Sequence, residues 1–181
     1  MKRLKTNRMA AWLLAFVFLF TLIPMQKAQA VVTKMGTGPV VIYEAYGGGG
    51  NPEGIYKSDF IVLKNISGAE VDLTGWSIQY AAAKATSIFN NIFELTGMIK
   101  PGAYYLIGAK DGSDTTLPAI PISDTTINLN MSGTSFKVAL SMDKTPISIP
   151  DMPENFSATY PNVVDYLGVG IATGFLGTGA A

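Results

Sequence analysis

Residues 40–83 read VVIYEAYGGGGNPEGIYKSDFIVLKNISGAEVDLTGWSIQYAAA, and residues 95–109 read LTGMIKPGAYYLIGA. Short runs rich in Val, Ile, Tyr and Phe alternate with turns of Gly, Asn, Asp and Pro at nearly even spacing. This pattern predicts an all-β chain folded as an antiparallel β-sandwich. The run 40–46 is a first strand, stopped by Gly47, Gly48, Gly49 and Gly50, which permit positive φ and close backbone approach. Residues 59–65 form a second strand, with Ile61 and Leu63 on one face and Phe60, Val62 and Lys64 on the other. Residues 69–73 read as a short edge strand. In 76–80, Trp76, Ile78 and Tyr80 share one face, and Ser77 and Gln79 share the other, the signature of a half-buried strand.

Further strands are expected at 92–95, 97–99, 104–108, 127–129, 135–140 and 163–167, with turns at Thr74-Gly75 and Lys100-Pro101-Gly102. Residues 81–85 end a strand, because an isolated helix that short does not hold. Pro146, Pro150 and Pro153 keep 143–160 out of any central strand, so the segment is expected to be a surface excursion.

The first 30 residues have the form of a cleaved secretory signal. Lys2, Arg3, Lys5 and Arg8 precede an apolar run over 10–23, then Pro24 and the small-x-small site Ala28-Gln29-Ala30. The apolar run falls short of the roughly 20 residues that a spanning helix needs. The expected organisation is a signal peptide over 1–30, a flexible lead over 31–38 and one β-sandwich domain over 39–181. The domain would be secreted or held at the cell surface, with no membrane span after cleavage.

From residue 31 the chain holds eight Lys, no Arg and all 13 acidic residues, a net charge of −5. Direct nucleic-acid binding by such a domain is not expected, because phosphate recognition rewards clustered Lys and Arg. There is no Cys, so stability must come from the core rather than from disulfides.

The same segment contains no His. Ser-His-Asp and Cys-His catalysis, His-based zinc sites and arginine clamps are therefore excluded from it. Ser141-Met142-Asp143-Lys144 has the letters of S-x-x-K without the helix that motif needs. The Gly run lacks the following Lys-Ser/Thr of a phosphate loop and reads as structural. Asp111 and Asp114 offer a weak calcium site in a loop, without the ligand order of an EF-hand. Apart from that, no cofactor is expected. The loop Tyr46, Gly47–Gly50, Asn51 and Tyr56 is the candidate binding loop, with Tyr46 and Tyr56 the expected exposed aromatic pair. Asn65, Asn130 and Asn155 head N-x-Ser sequons.

The ordered set of motifs resembles the lamin-tail domain family in its bacterial exported form. The carriers are YGGGGN over 46–51, the DFI-L-N strand over 59–65, V-DL-GWS-QYA over 71–83, L-G-I-PG-YYL over 95–106, KVAL at 137–140 and VVD from 163. Val62 departs from the Glu usual in the family's second strand. The resemblance implies an immunoglobulin-like sandwich, with Asp59, Asp72, Gly75, Trp76, Pro101, Gly102 and Asp165 as structural motif positions. It also implies a domain that ends before the family's last strand. It implies a non-catalytic companion module that supports a protein or cell-surface partner, or an associated nuclease or phosphatase. The alternative expectation is an N-terminal fragment of an exported nuclease or phosphatase whose catalytic domain lies beyond residue 181. A third is a weak enzyme using carboxylates and calcium.

Overall fold

The computed structural model describes residues 38–84, 89–114, 116–148 and 160–175, all within one compact unit, Val31–Ala181. Residues 1–30, expected to be a signal peptide, most of the expected lead, and 149–159 of the Pro-rich segment, including the Asn155 sequon, lie outside the described residues. No helix is formed among the described residues. The strands are β1 (Val40–Tyr46), β2 (Ser58–Asn65), β3 (Val71–Asp72), β4 (Ser77–Ala82), β5 (Asn91–Glu94), β6 (Met98–Ile99), β7 (Tyr104–Asp111), β8 (Thr125–Thr126), β9 (Phe136–Ser141) and β10 (Val163–Val169).

Two four-stranded sheets form the layers, in the orders β1-β2-β7-β8 and β10-β9-β4-β5, and the pair β3-β6 makes a small third sheet. Alternation dictates which side chains meet between the layers. Val40, Ile42, Ile61, Leu63, Tyr105 and Ile107 of one sheet face Ile78, Tyr80, Phe136, Val138, Leu140 and Val164 of the other. Trp76, Leu73, Leu95 and Ile99 complete this core around the β3-β6 pair.

Four expectations are corrected. The edge strand over 69–73 shrinks to Val71–Asp72. The strand expected at 127–129 is instead the two-residue β8 at Thr125–Thr126, and it runs parallel to β7. Ile127 N–H then donates to Gly108 O at 2.9 Å and Lys110 N–H to Leu129 O at 3.0 Å, so the segment still lines β7 without forming a strand. Asp111, read as loop, is the last residue of β7.

The fourth correction concerns β4, which is buried on both faces: Ser77 and Gln79 are as inaccessible as Ile78. The described start of the Pro-rich segment is the reason, because it straps the outer face of the second sheet. The Gln79 amide donates to Thr145 O at 2.9 Å and accepts from Ile147 N–H at 3.0 Å, and Ser77 Oγ donates to Asp143 O at 2.5 Å. Beneath the strap, Ala81, Phe89, Ala139, Ile147, Val163 and Tyr166 form a second apolar cluster.

Candidate functional site

The glycine run sits where four stretches of backbone cross. A Cβ on Gly47 would lie 2.2 Å from Ser132 O, one on Gly49 2.3 Å from Asp59 N, and one on Gly50 2.4 Å from Gly112 Cα. Gly50 also has φ +65°. Only glycine admits such contacts, so the run is a requirement of packing. Asp59, 1 % exposed at the start of β2, ties the crossing together. Its Oδ1 accepts from Gly49 N–H at 2.8 Å and its Oδ2 from Met131 N–H at 2.7 Å. Burial raises the Asp59 pKa above the ordinary aspartate value, against the two backbone donors that lower it.

Tyr46 and Tyr56, expected to be the exposed pair, are half-buried. Tyr46 stacks on Phe60 at 5.2 Å, and Tyr56 meets both rings edge-on. The Tyr46 hydroxyl accepts from Ile55 N–H at 2.8 Å and closes the loop over 47–55. Asn51 at the loop tip is exposed.

Asp111 and Asp114 flank the same crossing. Ser58 Oγ donates to Asp111 Oδ1 at 2.5 Å, and Lys57 Nζ lies 3.0 Å from Asp111 Oδ2. Asp114 Oδ1 accepts from Thr116 N–H at 2.9 Å and Thr116 Oγ1 at 2.6 Å. Donation from Ser58 and Thr116, respectively, lowers the two pKa values. Among the described residues no group of three His, Cys, Asp or Glu gathers as a metal site. Two carboxylates, each already accepting from protein donors, fall well short of the six to eight oxygens that calcium takes.

The remaining motif positions turn or fasten the chain. Asp72 accepts from Thr74 N–H at 2.8 Å, and Gly75 at φ +84° completes the turn that delivers Trp76 to the core. Pro101 and Gly102, the latter at φ +71°, form a type II turn closed by Ala103 N–H donating to Lys100 O at 3.0 Å. Asp165 reaches across from β10 to accept from Ile42 N–H of β1 at 2.7 Å. One hub was missed in the sequence reading. Asn65 is fully buried, donates to Ala69 O and Ile99 O, and accepts from Ser67 N–H and Oγ. The available signal was its spacing, since it shares an inward face with Ile61 and Leu63.

The exposed aromatic pair lies elsewhere, on the outer face of the first sheet. Tyr43 and Tyr104 are 38 % and 51 % exposed. Their rings meet edge-to-face at 5.0 Å. Lys64, on the strand between them, holds its Nζ 4.9 Å from the Tyr104 centroid and 5.3 Å from that of Tyr43, and donates to Tyr104 Oη at 3.1 Å. Tyr43 follows the inward-facing Ile42 and so points outward by alternation, and it is the extra residue of a bulge between Ile42 and Glu44. Hydrogen bonding to Tyr104 raises the Lys64 pKa, and the same bond lowers that of Tyr104.

The arrangement of motifs on this sandwich is that of a known family. The pattern of the Lamin Tail Domain family matches residues 33–149, well over half of the sequence. The chain belongs to the Lamin Tail Domain family. Lamin-tail domains are immunoglobulin-like interaction modules without catalytic function, and the all-β sandwich seen here has that architecture. The match reaches from the lead through β9 to the strap, so β10 and Asp165 lie beyond it. A search of curated proteins finds no match to this lamin-tail chain.

Proposed function

We propose that this lamin-tail protein is an exported, non-catalytic binding module that engages a protein or cell-surface ligand, alone or beside a hydrolase. The observation that carries this reading is the employment of its polar groups. Asp59, Asp72, Asp111, Asp114, Asp143 and Asp165 each accept from a backbone or side-chain donor that shapes a turn or joins two strands. These six carboxylates are thus engaged in holding loops and strands together. The exposed rings and their lysine lie instead on an open sheet face. The form of residues 1–30 supports export. The loop tip at Asn51 and Ile55, the latter 61 % exposed, is a second surface available for contact.

The test is turnover. The purified protein is incubated with single- and double-stranded DNA and with a phosphomonoester, with and without calcium. No hydrolysis above a buffer blank is expected, and hydrolysis that tracks the protein through purification sinks the reading. Fractionation of the producing cell checks export, with the protein expected in the medium or at the surface.

A further inference from the structure

We infer that the outer face of the first sheet, at Tyr43, Lys64 and Tyr104, binds a carboxylated sugar. The inference rests on the binding-module reading and names its surface and ligand class. Three adjacent strands contribute one residue each, because Lys64 is in register with Tyr104 across β2 and β7 while Tyr43 of β1, next to the inward-facing Ile42, points to the same side. The result is an open platform with two aromatic rings inclined at 70° and an ammonium against both. Val62 and Leu106, a cross-strand pair on the same face, extend it with half-buried apolar surface.

Charge selects the ligand. Lys64 takes no part in the ion pairs Lys57–Asp111 and Lys144–Glu94. Glu44, on the same face of β1, does not pair with it. An ammonium has three donors, and Tyr104 Oη accepts one of them. The others point to an acceptor supplied from outside, and a carboxylate is the complementary one.

Shape narrows the class further. A peptide strand can add to this sheet only at an edge, whereas Lys64 and Tyr104 stand on the two inner strands β2 and β7, so strand addition does not use the platform. One lysine on a domain of net charge −5 does not hold a phosphate chain, whose binding needs several cations. Two rings fall well short of the roughly 800 Å² per partner of a stable dimer. A pyranose ring bearing a carboxylate fits: its C–H face lies on a tyrosine, its hydroxyls meet the phenols, and its acid meets Lys64.

The test is calorimetric titration of the protein with an oligosaccharide that carries a single uronate and with a neutral maltooligosaccharide of equal length. Binding of the acidic oligomer is expected, with at least about tenfold weakening, or ~1.4 kcal/mol, in Tyr104→Ala and in Lys64→Met. Lys64→Arg should retain affinity within about threefold, and Tyr104→Phe should lose less than Tyr104→Ala. Thermal unfolding of each variant separates lost binding from lost fold. Absence of binding by the unaltered protein overturns the inference, as does binding that all folded variants preserve. Equal binding of the neutral oligomer overturns the role given to Lys64. Cleavage of the oligomer would overturn the non-catalytic reading instead, and shows itself as new reducing ends rather than as a change in affinity.

Discussion

Two buried polar side chains on β2 show how single residues hold this fold. Asp59 and Asn65 lie on the inward face with Ile61 and Leu63, one at each end of the strand. Removing Asn65 takes the side-chain partner from Ile99 O and Ser67 N–H and one of two donors from Ala69 O. Asn65→Ala should therefore destabilise by on the order of 3 kcal/mol, read as a lower denaturant midpoint at unchanged m-value. Gly49→Ala should do comparable damage for a different reason, since its Cβ would meet backbone at 2.3 Å and backbone cannot swing aside. The sequence showed the glycines as the end of a strand, and the family resemblance marked Asp59 as a structural position. It did not show Asn65 as structural, because the adjoining Ser67 gave it the look of a sequon. Its burial depends on where residues 69 and 99 arrive, which no local pattern encodes.

Among the elements, the strap over the second sheet is the part least visible in the sequence. The alternation of β4 is apolar at Ile78 and Tyr80 and polar at Ser77 and Gln79, the pattern of a strand with one wet face. Here the polar residues are buried because each finds a backbone partner on the strap. Hydrogen bonding in the interior can be supplied by a distant segment, and a period-two pattern cannot tell such a segment from water. Ile147→Ala should cost about 2–4 kcal/mol from the second cluster. Gln79→Ala, which orphans Ile147 N–H and Thr145 O, should cost about 1–3 kcal/mol. Urea titrations of the two variants and of their combination are expected to show less than additive losses, since both release the same strap. The candidate site was legible in part for a related reason. Alternation turns Tyr43 and Tyr104 outward beside the inward Ile42 and Tyr105, but the packing of Tyr46 and Tyr56 with Phe60, which covers the expected pair, is set by the fold.

At the scale of the whole molecule, its carboxylates pull its acid stability in two directions. Asp59 has a folded pKa above the unfolded value of 3.8, so its contribution is present below that value and is lost as pH rises through the folded pKa. For Asp143, burial raises the pKa, but donation from Asn162, Thr145 and Ser141 outweighs it and the net shift is downward. Its contribution is present above 3.8 and is lost as pH falls through the folded pKa. The stability gap between the native protein and Asp59→Asn should therefore widen on acidification, while the gap to Asp143→Asn should narrow. Chemical denaturation at pH 7, 5 and 3 reads both slopes. The overall sandwich was legible because strand runs and turn residues alternate evenly along most of the chain. The parallel β7–β8 pair was not, being two residues long. One consequence of the double burial of β4 and β9 concerns time rather than energy. Every described side chain of β9 is enclosed, and apolar clusters lie on both sides of its sheet. Fraying at the periphery cannot reach those amides without dismantling a layer first. Peptides covering 136–141 should be the last to take up deuterium, exchanging only when the whole domain opens.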